Sequence, residues 1–284
     1  MPRLEAELDE ESTESSEEKG SYINLNAVNP EMAALHFGRI VQLMEESHGP
    51  DFPYLAAGLN EYGEALAGME NFLEARTCFE RAIVIDEREL GAGDPEVARG
   101  LNNLAHAMCH LGEPSGALPL IQRALEIDRK GTGAIEAKYA RDQSTLGDIQ
   151  FKLGRLDDAQ FAYELALLID MANLGDSDFN LAIRHHKLGL LLLSRNDLEP
   201  AVVHLEIACD LRGSFLGGDH RLTWKSLCIL EKAHLRLGNF ERAKAMRAEA
   251  TQFLVEILRE EGSENPRADA LAEMRATLET TLPS

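Results

Sequence analysis

The sequence predicts an all-α protein, a solenoid of stacked helix pairs, and three observations carry that prediction. Glycine occupies positions 49, 91, 133, 175 and 217, each 42 residues after the last. Alanine occupies 33, 75, 117, 159, 201 and 243 at the same interval. The 284-residue chain is dominated by Ala and Leu and only 6% of it is aromatic, which suits closely packed helices better than a sheet. A fixed period of this length marks an array in which no unit buries its apolar face alone and stacking on neighbours supplies the core.

Residues 1–28 read as an acidic, disordered N-terminal tail. Its first 20 positions hold eight Asp/Glu against two Lys/Arg, with Ser12, Thr13, Ser15 and Ser16 clustered among them, so there is little to bury. The repeat region spans 29–260 as a half repeat followed by five 42-residue repeats. Asn29-Pro30-Glu31 supplies a capping residue, a proline at the first helical position and an acid in the first turn. The helix it launches aligns with the second half of a repeat and caps the array.

The first full repeat pairs helix A near 53–68 with helix B near 72–90, and the later repeats fall at about 95–130, 137–172, 179–215 and 221–258. Small residues recur where two helices must approach closely. In helix A they are Gly63, Ala105, Gly147 and Gly189, with Glu231 breaking the series; late in helix B they are Ala82, Ala124, Ala166, Ala208 and Ala250. Phe79, Ile121, Tyr163 and Leu205 fill the interlocking slots. Asn71, Asp197 and Asn239 are expected to cap their helices through their side chains, with Glu74 completing a capping box. Pro119 lies beyond the first turn and is expected to kink its helix. Residues 261–284 read as a C-terminal capping helix and tail, with Ala268, Leu271, Met274 and Leu278 on one side.

A formal net charge of -21 argues against nucleic acid and anionic membranes as partners, because both would be repelled. The four cysteines show no CxxC pairing and lie within helical patterns, as reduced thiols of a cytoplasmic protein would. The N-terminus lacks the apolar run of a signal peptide, and no stretch approaches a membrane span. His106 and His110 stand at the i, i+4 spacing of a metal pair, but Ala107 replaces the glutamate of HExxH and no third ligand is evident. No nucleophile-elbow or phosphate-loop motif occurs. A non-enzymatic protein with no cofactor and no metal is expected.

Leu59, Tyr62, Gly63, Ala75, Phe79 and Ala82 follow the alternation of W/L-x2-L/Y-G with A-x3-F/Y-x2-A, and the chain thereby resembles tetratricopeptide repeat proteins. Its longer period and the segments AIVIDERELGAGDPEVARGLNNLA and LGGDHRLT resemble the kinesin light chain type of that repeat, with Asp94-Pro95 and Asp219-His220 at the matching junctions. The resemblance covers about residues 29–258. It implies a right-handed superhelical solenoid with terminal capping helices. It also implies a concave groove lined by the side of helix A opposite Leu59, Tyr62, Gly63 and Leu66.

In the first repeat that side takes Ala57, Asn60, Glu64, Ala67 and Gly68. With their equivalents in the other four repeats these make 25 positions, which hold six Lys/Arg, two acids and three His, whereas the whole chain has 28 basic and 49 acidic residues. The candidate groove residues are Asn60, Arg99, Asn102, His106, His110, Arg141, Ser144, Phe151, Lys152, His186, Lys225, Lys232 and Arg236. Asn60 and Asn102 are expected to hold an extended peptide backbone through their amides, and Phe151, Leu190 and Leu193 to receive an apolar anchor. The expected partner is an acidic, partly apolar protein or peptide segment steered in by the groove cations. The acidic tail, with Leu4 and Leu8 among its acids, has the composition to occupy the same groove in cis. The alternative is a regulatory or self-associating sensor that acts through its convex or terminal surfaces.

Overall fold

The computed structural model describes residues 30–130, 137–174, 179–217 and 221–260. The expected acidic tail, the C-terminal capping helix, Gly133, Gly175 and Asp219-His220 lie outside these residues. Among the described residues the structure is entirely helical. Helix α1 (Pro30–His48) precedes five pairs: α2 (Leu55–Gly68) with α3 (Phe72–Glu89), α4 (Pro95–His110) with α5 (Pro114–Lys130), and α6 (Ala137–Lys152) with α7 (Leu156–Leu174). Helices α8 (Phe179–Arg195) with α9 (Leu198–Leu216), and α10 (Arg221–Leu237) with α11 (Phe240–Glu260), complete the array. Each helix packs on the next in sequence, as a solenoid requires.

The small-residue series marks where the two helices of a pair interlock. A Cβ added at Gly63 would stand 2.5 Å from the Phe79 ring, and one at Gly189 would stand 2.6 Å from Leu205. Gly147 meets Tyr163 in the same way, and Ala105 and Ile121 occupy the corresponding places in the second pair. The partner of each helix A residue therefore lies 16 positions downstream. That register explains the break at Glu231: its counterpart is Arg247, and the two form an ion pair, with Arg247 Nε 2.5 Å from Glu231 Oε1. Glu231 is buried among Trp224, Leu227 and Leu230, so charge pairing there replaces the packing used in the other repeats.

The turns follow a second 42-residue series that periodicity reading missed. Gly112, Gly154 and Gly238 end their A helices at φ of 82°, 75° and 77°. Glu70 and Asn196 occupy the same register at φ of 62° and 66°. The accompanying bonds, Asn71 N to Leu66 O at 2.9 Å and Glu113 N to Met108 O at 2.9 Å, are those of a Schellman turn, which places its last residue in the left-handed region. A Cβ is disfavoured there, so Glu70→Gly is expected to raise stability by about 1 kcal/mol in urea unfolding. A lower unfolding midpoint in this variant would contradict that account of the turn.

One local expectation is corrected. Asn71 and Asp197 occupy N-cap positions, but neither side chain makes a capping hydrogen bond. Their ψ angles of 64° and 74° fall short of the extended backbone that aims a capping side chain. Asp94, at ψ 143°, does cap, its carboxylate accepting from Glu96 N at 2.8 Å. Pro119 lies exposed within α5 without interrupting it; the N–H it lacks would have reached only to the first turn.

Helix α2 packs against α4, and α4 against α6, whereas among the described residues no two B helices approach as closely. Helices α2, α4 and α6 therefore converge on the inner side of the array, while the B helices beside them stand further apart on the outer side. The outer gap is spanned by long side chains that recur in register: Arg81 to Glu45 at 2.5 Å and, one repeat on, Arg123 to Glu87 at 2.6 Å.

Candidate peptide-binding groove

The inner face is built from α2, α4, α6, α8 and α10, and its side chains are joined from repeat to repeat. At the N-terminal end Arg99 donates to Glu61 at 3.0 Å, Glu64 at 3.3 Å and Glu96 at 3.0 Å, while Asn103 donates to Glu64 at 3.0 Å. Of these carboxylates only Glu64 belongs to the positions expected to line the groove. Arg99 is thus neutralised where it stands.

Further along, Phe72 stacks on His110 with ring centroids 4.3 Å apart, and His106 lies 4.6 Å from His110. Burial pushes the His106 imidazole down to about 4. Nearby, Asp148 accepts from Lys187 Nζ at 2.5 Å and from the Tyr163 hydroxyl at 2.7 Å, and Lys187 also donates to Ser144 at 2.9 Å. Burial alone would raise the Asp148 carboxyl, but the Lys187 ammonium outweighs it and holds the group below the usual carboxylate range. The spacing of His106 and His110 therefore serves an aromatic stack. No group of three metal-ligating side chains is found among the described residues.

Asn60, Asn102 and Ser144 lie beneath the groove floor rather than on it, which corrects their expected exposure. The cause is the convergence of the A helices, which encloses this register position between neighbours. Asn102 Nδ2 donates to Asp142 Oδ1 at 2.7 Å and to Thr145 Oγ1 at 3.1 Å, and neither amide of this pair faces outward. Asn60 is 0% exposed, and neither polar atom of its amide has a hydrogen-bond partner among the described residues. His186 is half-buried and faces Arg212 Nη1 at 3.3 Å; burial first and the guanidinium second push it down to about 3.

Burial, reinforced by the nearby Asp128 carboxylate, raises Asp142 to about 7, although Arg141 lies 3.6 Å away. The folded value exceeds the ordinary unfolded one of about 4, so the folded state holds this proton more tightly. Its contribution is therefore most favourable below about pH 4 and is lost as pH rises toward 7. Asp142→Asn keeps the shape without the ionisation and is expected to flatten this component of stability between about pH 4 and 7. A titration of unfolding midpoint against pH checks it, and an unchanged slope would contradict the assignment.

Accessible cations gather toward the C-terminal half. Lys152 and Lys232 are exposed and form no ion pair among the described residues. Lys225 is half-buried on the same row. Arg236 donates to Leu193 O at 3.0 Å and Asn196 Oδ1 at 2.9 Å, which ties the fifth repeat to the fourth. Leu190 and Leu235 are exposed beside these cations, whereas Phe151 packs inward against the Tyr163 and Leu188 cluster. All four cysteines are buried free thiols, and burial pushes Cys209 up to about 12. No helix among the described residues is long and apolar enough to cross a membrane.

A helical-repeat solenoid with a polar, partly cationic inner face defines the class of protein. Family models for the tetratricopeptide repeat match residues 54–130 and 144–173. The chain contains tetratricopeptide repeats. Its fold is similar to BtubC (BKLC) from P. vanneervenii, with a TM-score of 0.62 and 20% identity over 87% of this chain and 96% of that one. A putative kinesin light chain repeat protein from Podosopora anserina gives 0.58 and 18% over 73% and 98%. The Rap conjugation gene regulator of plasmid pLS20, in complex with the Phr* peptide, gives 0.60 and 17% over 83% and 65%. No curated protein matches the sequence. At these identities the likeness is one of fold. The matching family models are repeat models, and neither is of a catalytic family.

Proposed function

We propose that this protein is a non-enzymatic cytoplasmic scaffold that holds acidic, partly apolar peptide segments against the inner faces of α6, α8 and α10. The observation that carries the reading is the pairing of exposed Lys152 and Lys232 with exposed Leu190 and Leu235 on that face, within a chain of net charge -21. Cations at a groove surrounded by an acidic protein steer anionic segments inward, and the leucines accept an apolar anchor. The Rap conjugation gene regulator, similar in fold, is solved in complex with the Phr* peptide, which supports a peptide as the class of partner. The domain reading places this groove within 29–260, flanked by the tail 1–28 and the segment 261–284.

The acidic tail is proposed as an intramolecular competitor for the same cations. Binding of a synthetic peptide of residues 1–20 to the chain lacking them tests both readings together. Affinity is expected to fall as salt is raised across the range where the Debye length drops from about 10 Å to about 3 Å. Salt-independent binding would count against the groove reading.

A further inference from the structure

The outer face carries a second surface whose chemistry differs from that of the groove. Helices α7 and α9 are apolar on both sides. Their inner rows, including Ala159, Tyr163, Ala201 and Leu205, are buried in the array. Their outer rows remain exposed: Phe161 is 68% exposed, Leu168 65% and Val203 54%. Phe161, half-buried Leu165 and Leu168 fall at i, i+4 and i+7, so they share one face of α7.

The fold does not require apolar residues there. In the first two repeats the register positions of Phe161 and Val203 hold Thr77 and Pro119, and those of Leu165 and Ile207 hold Arg81 and Arg123. These arginines make the ion pairs with Glu45 and Glu87 that bridge successive B helices. Between the third and fourth repeats the same bridge positions hold Met171 and Ile207, both exposed, where the first two bridges hold an acid and an arginine. At these two register positions Phe161, Leu165, Val203 and Ile207 depart from the first two repeats toward large apolar side chains, whereas Leu168 has an exposed apolar counterpart in Val84.

The rim is acidic. Neither α7 nor α9 contains a lysine, and the single arginine between them, Arg212, is buried. Asp158, Glu164 and Asp210 are exposed on the outer rows. A second copy meeting this face symmetrically would bring two acidic rims together, and an anionic membrane would be repelled. Charge complementarity selects an apolar segment with cations at its edges.

We infer that the outer face of α7 and α9 is a docking surface for a partner's amphipathic helix whose apolar residues are flanked by Lys and Arg. It lies on the opposite side of the array from the groove and does not depend on the groove reading. The two surfaces would let one chain join an acidic segment to a basic one.

Two synthetic peptides of about 18 residues test it, with the same helical leucine pattern and either Lys or Glu on the flanks. Full-length protein, the double variant Phe161→Ser/Leu168→Ser and the groove variant Lys152→Glu/Lys232→Glu are titrated at about 0.1 M salt. The Lys-flanked peptide is expected to bind wild type and the groove variant alike, and to lose roughly tenfold or more in affinity to the Ser variant. Any affinity for the Glu-flanked peptide is expected to be unaffected by the Ser substitutions. Wild-type affinity of the Ser variant for the Lys-flanked peptide, or equal loss of both peptides, would overturn the proposal. Concentration-dependent dimerisation of wild type that the Ser substitutions abolish would assign the face to a second copy and overturn it as well. Helical circular dichroism checks folding, and Val203→Ser/Ile207→Ser is the alternative variant if the first fails to fold.

Discussion

Replacing Asn102 by Leu is expected to destabilise the protein by about 2–3 kcal/mol, while the same replacement at Asn60, one repeat earlier, is expected to be neutral or stabilising. Both amides are buried at the same register position. Asn102 supplies a donor to the buried Asp142 carboxyl and a second to Thr145, so its loss leaves a carboxyl in the interior without that partner. Asn60 meets Gly100 where Asn102 meets Asp142, because Gly100 is the residue 42 positions before Asp142. A Cβ at Gly100 would stand 2.7 Å from Ile83, so the close approach of that side chain keeps the position small. The Asn60 amide has therefore been desolvated with no bond in return, and removing it relieves a penalty. Urea unfolding of the two single variants decides the matter. Shifts of the same sign and size would contradict it.

Arg247→Leu is expected to cost about 3–5 kcal/mol, and the further change Glu231→Ala is expected to recover most of that loss. Alone, the first leaves the buried Glu231 carboxylate without its guanidinium. Together, the two changes recreate the small-and-large pairing that Ala105 and Ile121 make in the second repeat and Gly189 and Leu205 make in the fourth. A double-mutant cycle measures this directly. If the double variant is as unstable as Arg247→Leu alone, the equivalence of charge pairing and packing at this position is wrong.

Helix boundaries were legible to within about two residues, because small and large residues repeat with the helices that need them. The inner face was less legible. Asn102 to Asp142, and Asp148 to Lys187, join residues 40 and 39 positions apart, and nothing in a one-repeat pattern states which side chains reach the next repeat. The layer between each B helix and the following A helix shows the difficulty most clearly. Its pairs lie 14 residues apart in register, yet they hold Asp128 with Asp142, the buried ion pair Asp170 with Arg184, and Arg212 with Ser226. Position recurs there while chemistry changes, so periodicity is silent. The same reason let the count of groove cations overstate the N-terminal half: Glu61 and Glu96, which neutralise Arg99, lie outside the positions counted. Glu70 and Asn196 broke a glycine series that the helix-A and helix-B patterns did not include.

The central claim is that exposed cations on the inner faces of α6 and α10 recruit acidic segments. The most direct measurement is the affinity of an acidic, leucine-containing peptide for wild type and for Lys152→Glu/Lys232→Glu, at low and raised salt. The account predicts at least about tenfold weaker binding by the variant at low salt, with the difference shrinking as salt rises. Equal affinity at low salt, in a variant that retains its helical signal, would contradict it.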